Sequence, residues 1–140
     1  MANNISRLTI DAPIQKVWDT LTKPELVKLW QFGSDLQTTW EPGSKIKFTT
    51  KWDDKVFEQW GTVLEFTPNT KLRYSLFAPR PDLEDKPENY FEMIYSLTAD
   101  EGKTKLVITQ ADNRPNAIQE KEQGEENPVL KTLKQIAEGD

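Results

Sequence analysis

Three polar side chains interrupt apolar alternations in this chain: Tyr74 between Leu72 and Leu76, Tyr95 between Met93 and Leu97, and Gln110 after Leu106 and Ile108. A hydroxyl or amide on an otherwise apolar face costs ~1–3 kcal/mol if left unbonded. Each is therefore a candidate polar anchor, whether its partner is protein, water or a bound molecule. Glu58, Glu65 and Glu92 are the acid–base groups on strand-like segments. A buried carboxylate with a raised pKa could take a proton from an enolisable substrate. No spacing pairs these three, strand glutamates usually face water, and no catalytic residue is assigned. Asp82, Glu84 and Asp85 cluster without the Asp-x-Asp-x-Asp-Gly spacing of a calcium loop, so they read as a solvated loop and no metal ligand or cofactor is assigned.

What the composition removes is broader. The chain has 140 residues, no cysteine and no histidine, with 18 basic and 23 acidic side chains and a net charge of −5. Disulfides, a thiolate nucleophile, the imidazole base and the common zinc ligands are all excluded. A pI near 4.9 disfavours binding to phosphate backbones, so no nucleic-acid partner is expected. No apolar run reaches the ~18 residues of a membrane span and no signal peptide is evident, so the expectation is a cytoplasmic protein without stable membrane insertion. The length suits one domain spanning residues 1–140, and 14 aromatics argue against disorder.

The elements that must position the candidate anchors follow from periodicity. Asn4 to Ile10 reads as a strand, with Ser6, Leu8 and Ile10 on one face, and Asp11 offers an N-cap to the following helix. Ile14, Val17, Trp18 and Leu21 share one helical face, leaving Gln15, Lys16, Asp19 and Thr20 to solvent. Thr22-Lys23-Pro24-Glu25 has capping-box spacing for a second short helix, whose Leu26, Leu29 and Trp30 share a face and which Gly33 stops. From residue 36 the period becomes 2, giving strands at Leu36–Trp40, Lys45–Trp52, Phe57–Phe66, Lys71–Phe77, Tyr90–Ala99 and Lys103–Ala111. Their short separators suit an antiparallel meander. Residues 78–89, with Pro79, Pro81 and Pro87, read as a mobile surface loop, and the charge-rich 119–126 stretch as solvated. Asn127-Pro128 is a cap followed by an N1 proline, opening an amphipathic helix through Val129, Leu130, Leu133, Ile136 and Ala137.

This is an α+β set of about seven strands, two short helices after the first strand, and a closing helix. Eleven of the aromatics lie between Trp40 and Tyr95. Parity places Ile46, Phe48 and Trp52, then Leu72, Tyr74 and Leu76, then Met93, Tyr95 and Leu97, then Leu106, Ile108 and Gln110 on one inner face; both parities of 57–66 mix polar and apolar residues, leaving that strand's orientation open. A closing helix of about eleven residues, ~16 Å, cannot cover strands of ~26 Å. A curved sheet under a partial cover tends to leave an elongated cavity. Its candidate lining is Trp30, Phe32, Phe48, Trp52, Tyr74, Leu76, Met93, Tyr95, Ile108, Gln110 and Leu133, although aromatics with this periodicity also serve as plain core.

Pro13, Val17-Trp18, Leu21-Thr22, Pro24-Glu25, Trp30, Phe32-Gly33, Pro42-Gly43, Gly61-x-Val63-x-Glu65, Leu72-x-Tyr74 and Thr104-x-Leu106-x-Ile108 resemble, in order and over nearly the whole chain, the START-like (SRPBCC) superfamily, in its activator of heat-shock-protein ATPase homologue branch. The resemblance implies a helix-grip fold: a curved antiparallel sheet gripped by a long C-terminal helix. It also implies binding of a lipid, sterol or polyketide-like molecule, with cyclase or hydrolase activity in some members and co-chaperone activity in larger ones. Two departures stand out: Gln110 occupies a position where many relatives carry histidine, and the closing segment lacks a tryptophan often found before Val129-Leu130.

Three readings follow. The first is binding of a small hydrophobic or amphipathic molecule between the sheet and the C-terminal helix. The second is a co-chaperone-like or other protein-interaction module, with a chaperone as a possible partner. The third is a histidine-independent cyclase or hydrolase, and of the three an enzyme is the least expected.

Overall fold

The computed structural model describes residues 2–31, 33–52, 54–79, 81, 83–112, 114, 119, 121–124 and 126–139, the side chain of Trp52 excepted. Seven antiparallel strands form one sheet in the order β1-β7-β6-β5-β4-β3-β2, comprising β1 (Ala2–Ile10), β2 (Asp35–Thr38), β3 (Lys45–Trp52), β4 (Lys55–Thr67), β5 (Lys71–Leu76), β6 (Phe91–Asp100) and β7 (Lys103–Asp112). Helices α1 (Ile14–Thr22) and α2 (Pro24–Trp30) follow β1, and α3 (Pro128–Glu138) closes the chain against α1, α2 and β1. The meander is closed into an arc because β1 and β7, far apart in sequence, pair along their full length from Ala2↔Asp112 to Ile10↔Thr104.

The inner face follows the expected parity: Ile46, Phe48, Leu72, Tyr74, Leu76, Tyr95, Leu97, Leu106 and Ile108 are all buried. The 57–66 strand mixes parities for a local reason. A register shift between Val63 and Glu65 inserts Leu64, which is 41% exposed, so that Val63 before it and Phe66 after it both pack inward. Gly61 marks the place where β4 turns from pairing with β3 to pairing with β5. A Cβ there would lie 1.8 Å from the Ser75 carbonyl oxygen, so only glycine permits the close approach that curves the sheet.

Several local expectations differ in detail. α1 begins after Pro13 without a side-chain cap, and the backbone N–H of Asp11 donates to Glu138 at 2.8 Å, tying the start of α1 to the end of α3. Thr22 does not form a capping box: α2 starts after Lys23, and the Thr22 hydroxyl donates to the Trp18 carbonyl at 2.8 Å. Thr20 is fully buried rather than solvated, because α2 folds back over it and Trp30 Nε1 donates to its carbonyl at 2.7 Å. That bond also fixes the rotation of α2: Val27 and Trp30 face inward while Leu29, expected on the same face, is 54% exposed. Asn127 does cap α3, its carboxamide oxygen accepting from Val129 and Leu130 N–H.

The 78–89 loop is tied to the outer face of the sheet. Asp85 accepts from Trp60 Nε1 at 3.0 Å and from the Tyr90 hydroxyl at 2.6 Å, and Asn89 is buried while donating to the Glu84 carbonyl. Arg80 and Asp82 lie outside the described residues.

Candidate functional site

Two parts of the inner face are filled differently. Towards β3, β4 and β5 the inner face carries an aromatic ladder: Trp18 meets Phe66 edge-on at 5.2 Å, Phe66 stacks on Trp40 at 5.6 Å, and Tyr74 lies against Phe48 at 5.8 Å and Tyr95 at 6.0 Å between ring centres. Trp40 takes a positive φ of 63°, and its indole N–H donates to the Thr22 carbonyl at 2.9 Å, locking the ladder to the end of α1. The two buried anchors of this ladder satisfy each other, since the Tyr74 and Tyr95 hydroxyls are 3.1 Å apart. Burial pushes the phenol of Tyr74 well above its ordinary pKa and raises that of Tyr95, so both are neutral hydrogen-bonding groups at physiological pH.

Towards β1, β7 and β6 the ladder gives way to a cavity of about 320 Å³. Its apolar lining comes from Trp30 of α2, Met93 and Tyr95 of β6, Ile108 of β7, and Val129 and Leu130 of α3, with Ile5 of β1. Its polar lining is Asn4, Ser6, Gln110, Lys121, Gln123 and Asn127. β1 brings small polar residues to this part of the inner face: Asn4 opposes Gln110 and Ser6 opposes Ile108 across the β1–β7 ladder.

The rim is built by the segment before α3. Gln123 forms a parallel bridge to Ser6, its N–H donating to the Ile5 carbonyl at 3.0 Å and its carbonyl accepting from Arg7 N–H at 2.8 Å. Gln119 bonds both backbone groups of Asn3, at 2.8 and 2.6 Å, and the Asn127 side chain donates to that of Gln123. The described part of this stretch is mostly exposed, as expected, and through Gln119 and Gln123 it also covers the edge of β1. Glu120 and Glu125 lie outside the described residues.

Of the residues singled out in the sequence, Trp30, Met93, Tyr95, Ile108 and Gln110 meet at this cavity. Phe48, Tyr74, Leu76 and Leu133 are buried in the adjoining core and do not line it. Phe32 and the Trp52 side chain lie outside the described residues. Ile5, Val129 and Leu130 add apolar lining, and Asn4, Ser6, Lys121, Gln123 and Asn127 polar lining; for these polar residues the one signal in the sequence was the β1 parity that grouped Ser6 with Leu8 and Ile10.

Behind Gln110 sits a charged pair. Asp112 is 3% exposed and is gripped by the Arg114 guanidinium at 2.6 and 2.8 Å; that contact, with a hydrogen bond from Gln110, holds its carboxyl below the usual range despite burial. Arg114 also lies 4.5 Å over the Phe91 ring. The strand glutamates are elsewhere: Arg73 of the outer face holds Glu92 at 2.6 Å and Glu65 at 3.2 Å, and Glu58 pairs with Lys47. No group of acidic residues that could hold a metal ion occurs among the described residues, and none of the described helices is long and apolar enough to cross a membrane.

An open antiparallel sheet, two short helices after its first strand and a C-terminal helix closing the inner face define the START-like, helix-grip class. Residues 11–138 match the family described as Activator of Hsp90 ATPase homolog 1-like protein, and the chain belongs to that family. The solution structure of ChR145 from Cytophaga hutchinsonii is 34% identical, with 83% of this chain and 80% of that one covered at a TM-score of 0.70. The Aha1 dimer from Colwellia psychrerythraea is 19% identical, covering 84% of this chain and 81% of that one at a TM-score of 0.62. Ara h 8.0201 shares the fold at 14% identity, with 96% of each chain covered and a TM-score of 0.69. No curated protein matches the sequence.

Proposed function

We propose that this chain binds a small hydrophobic or amphipathic molecule in the cavity between β1, β7, β6, α2 and the first turn of α3. The observation that carries the reading is the division of one cavity into an apolar wall of Trp30, Met93, Ile108 and Leu130 and a polar rim of Asn4, Ser6, Gln110, Gln123 and Asn127. Ligand sites combine an apolar lining with a few polar groups that set orientation. At about 320 Å³ the volume sits at the small end of the ~300–1,000 Å³ range of ligand pockets, favouring a medium-chain or single-ring molecule over a sterol.

A panel of medium-chain acids, flavonoids and sterols, titrated by amide- and methyl-resolved NMR, tests this. Saturable shifts should converge on Met93, Tyr95, Ile108 and Gln110. Met93→Trp, which fills the cavity from its wall, should abolish them while keeping a dispersed spectrum. No saturable shift from any member would overturn the reading.

A second reading, a protein-interaction module, draws on a different surface: Val56 and Phe57 on β4 are 56% and 52% exposed, beside Pro79 and Pro81. Pull-downs with Val56→Ser/Phe57→Ser and with Met93→Trp separate the two, since a partner held by this surface would be lost only from the first.

A further inference from the structure

The cavity's polar rim has a definite sign. Among its described lining residues Lys121 carries the one formal charge and none is a carboxylate, although the whole chain carries a net charge of −5. Besides the Tyr95 hydroxyl, which is bonded to Tyr74, the remaining polar lining consists of the Ser6 hydroxyl and four carboxamides, on Asn4, Gln110, Gln123 and Asn127. Hydroxyls and carboxamide NH₂ groups donate to an anionic oxygen without a competing negative charge.

The nearby described acids are engaged with other groups. Asp112 is neutralised by Arg114 at 2.6 Å, Glu122 is paired with Arg7 at 2.9 Å, and Glu126 accepts from the Gly124 N–H at 2.9 Å. Lys121 has no ion-pair partner among the described residues, and it is held at the rim by a segment tied to β1 through Gln119 and Gln123. Lys121 thus lines the rim of an apolar pocket, with no carboxylate among the described lining residues.

We infer that the cavity selects an anionic amphiphile, its apolar tail against Trp30, Met93 and Ile108 and its carboxylate or equivalent oxyanion at the rim beside Lys121. This rests on the ligand-binding reading above and adds head-group selectivity to it. A cationic head would meet an ammonium with no carboxylate among the described lining residues to offset it, and a neutral alcohol would gain only the dipolar contacts.

Three probes with one tail test the selectivity: octanoate, octan-1-ol and octylammonium, titrated by NMR at neutral pH and low salt. Octanoate should bind about threefold to tenfold more tightly than the alcohol, as a charge-assisted contact at a partly exposed rim allows, and octylammonium should bind most weakly. Lys121→Met should bring octanoate to the level of octan-1-ol by weakening the acid far more than the alcohol, and Lys121→Arg should retain the preference. Saturable binding of all three without preference, or a Lys121→Met effect equal for acid and alcohol, would overturn the inference and leave the ligand-binding reading standing. Failure of all three, alcohol included, would overturn both.

Discussion

The Tyr74–Tyr95 contact shows how two side chains that look like ligand anchors can serve each other. With the hydroxyls 3.1 Å apart and both rings buried, each phenol satisfies a group that would otherwise be stranded. Tyr74→Phe or Tyr95→Phe alone should therefore destabilise by about 1–3 kcal/mol, since the surviving hydroxyl is left unpartnered in an apolar site. The double variant should cost less than the sum, because it removes donor and acceptor together. Urea unfolding of the four proteins closes this cycle. The same burial sets the alkaline limit: both folded-state pKa values lie above the ordinary tyrosine value. The stabilisation is fully present below ~10 and is lost as pH rises from there through the folded values. The double phenylalanine variant should show a shallower loss of stability above pH ~10 than the parent.

At the level of elements, Gly61 and the 119–127 segment decide where the cavity falls, and they differ in how readable they are. Gly61→Ala places a Cβ 1.8 Å from the Ser75 carbonyl oxygen and has no flexible neighbour to displace. It should cost about 3 kcal/mol or more, with the urea midpoint lowered and amide exchange accelerated first at Val63 and Tyr74, where β4 meets β5. Periodicity located every strand and the Asn127-Pro128 helix start because each carries its signal in adjacent residues. It could not orient residues 57–66, since the extra residue at Leu64 reverses the inward phase halfway along β4 and makes both parities look mixed. Nor could it identify Gln119 and Gln123 as an edge cover, because their partners are backbone groups of β1 more than a hundred residues earlier. The site divides in the same way. Met93, Tyr95, Ile108 and Gln110 were legible from alternation on single strands, whereas Asn4 and Ser6 become lining only through the β1–β7 pairing.

Considered as a whole, the molecule places its cavity where the two ends of the chain meet: β1 supplies Asn4 and Ser6, and the segment leading into α3 supplies Lys121, Gln123, Asn127 and Leu130. A molecule bound there would bridge elements that are otherwise joined by the Gln123–Ser6 bridge, the Gln119–Asn3 bonds and the α3–β1 packing. Binding linkage then makes a regional prediction. Ligand at a hundredfold over its Kd stabilises the folded state by about 2.7 kcal/mol, and subglobal openings that break the site should be suppressed by as much as global unfolding, while openings that leave it intact should not respond. With octanoate as the probe, amides of β1, Gln123 and α3 should gain hydrogen-exchange protection. Those near Val56 and Phe57, on the far side of the sheet and outside the cavity lining, should keep their exchange rates. Protection spread evenly over β3 and β4 as well would mean that the site opens only with the whole fold, and protection confined to β3 and β4 would move the binding site to the exposed Val56–Phe57 surface.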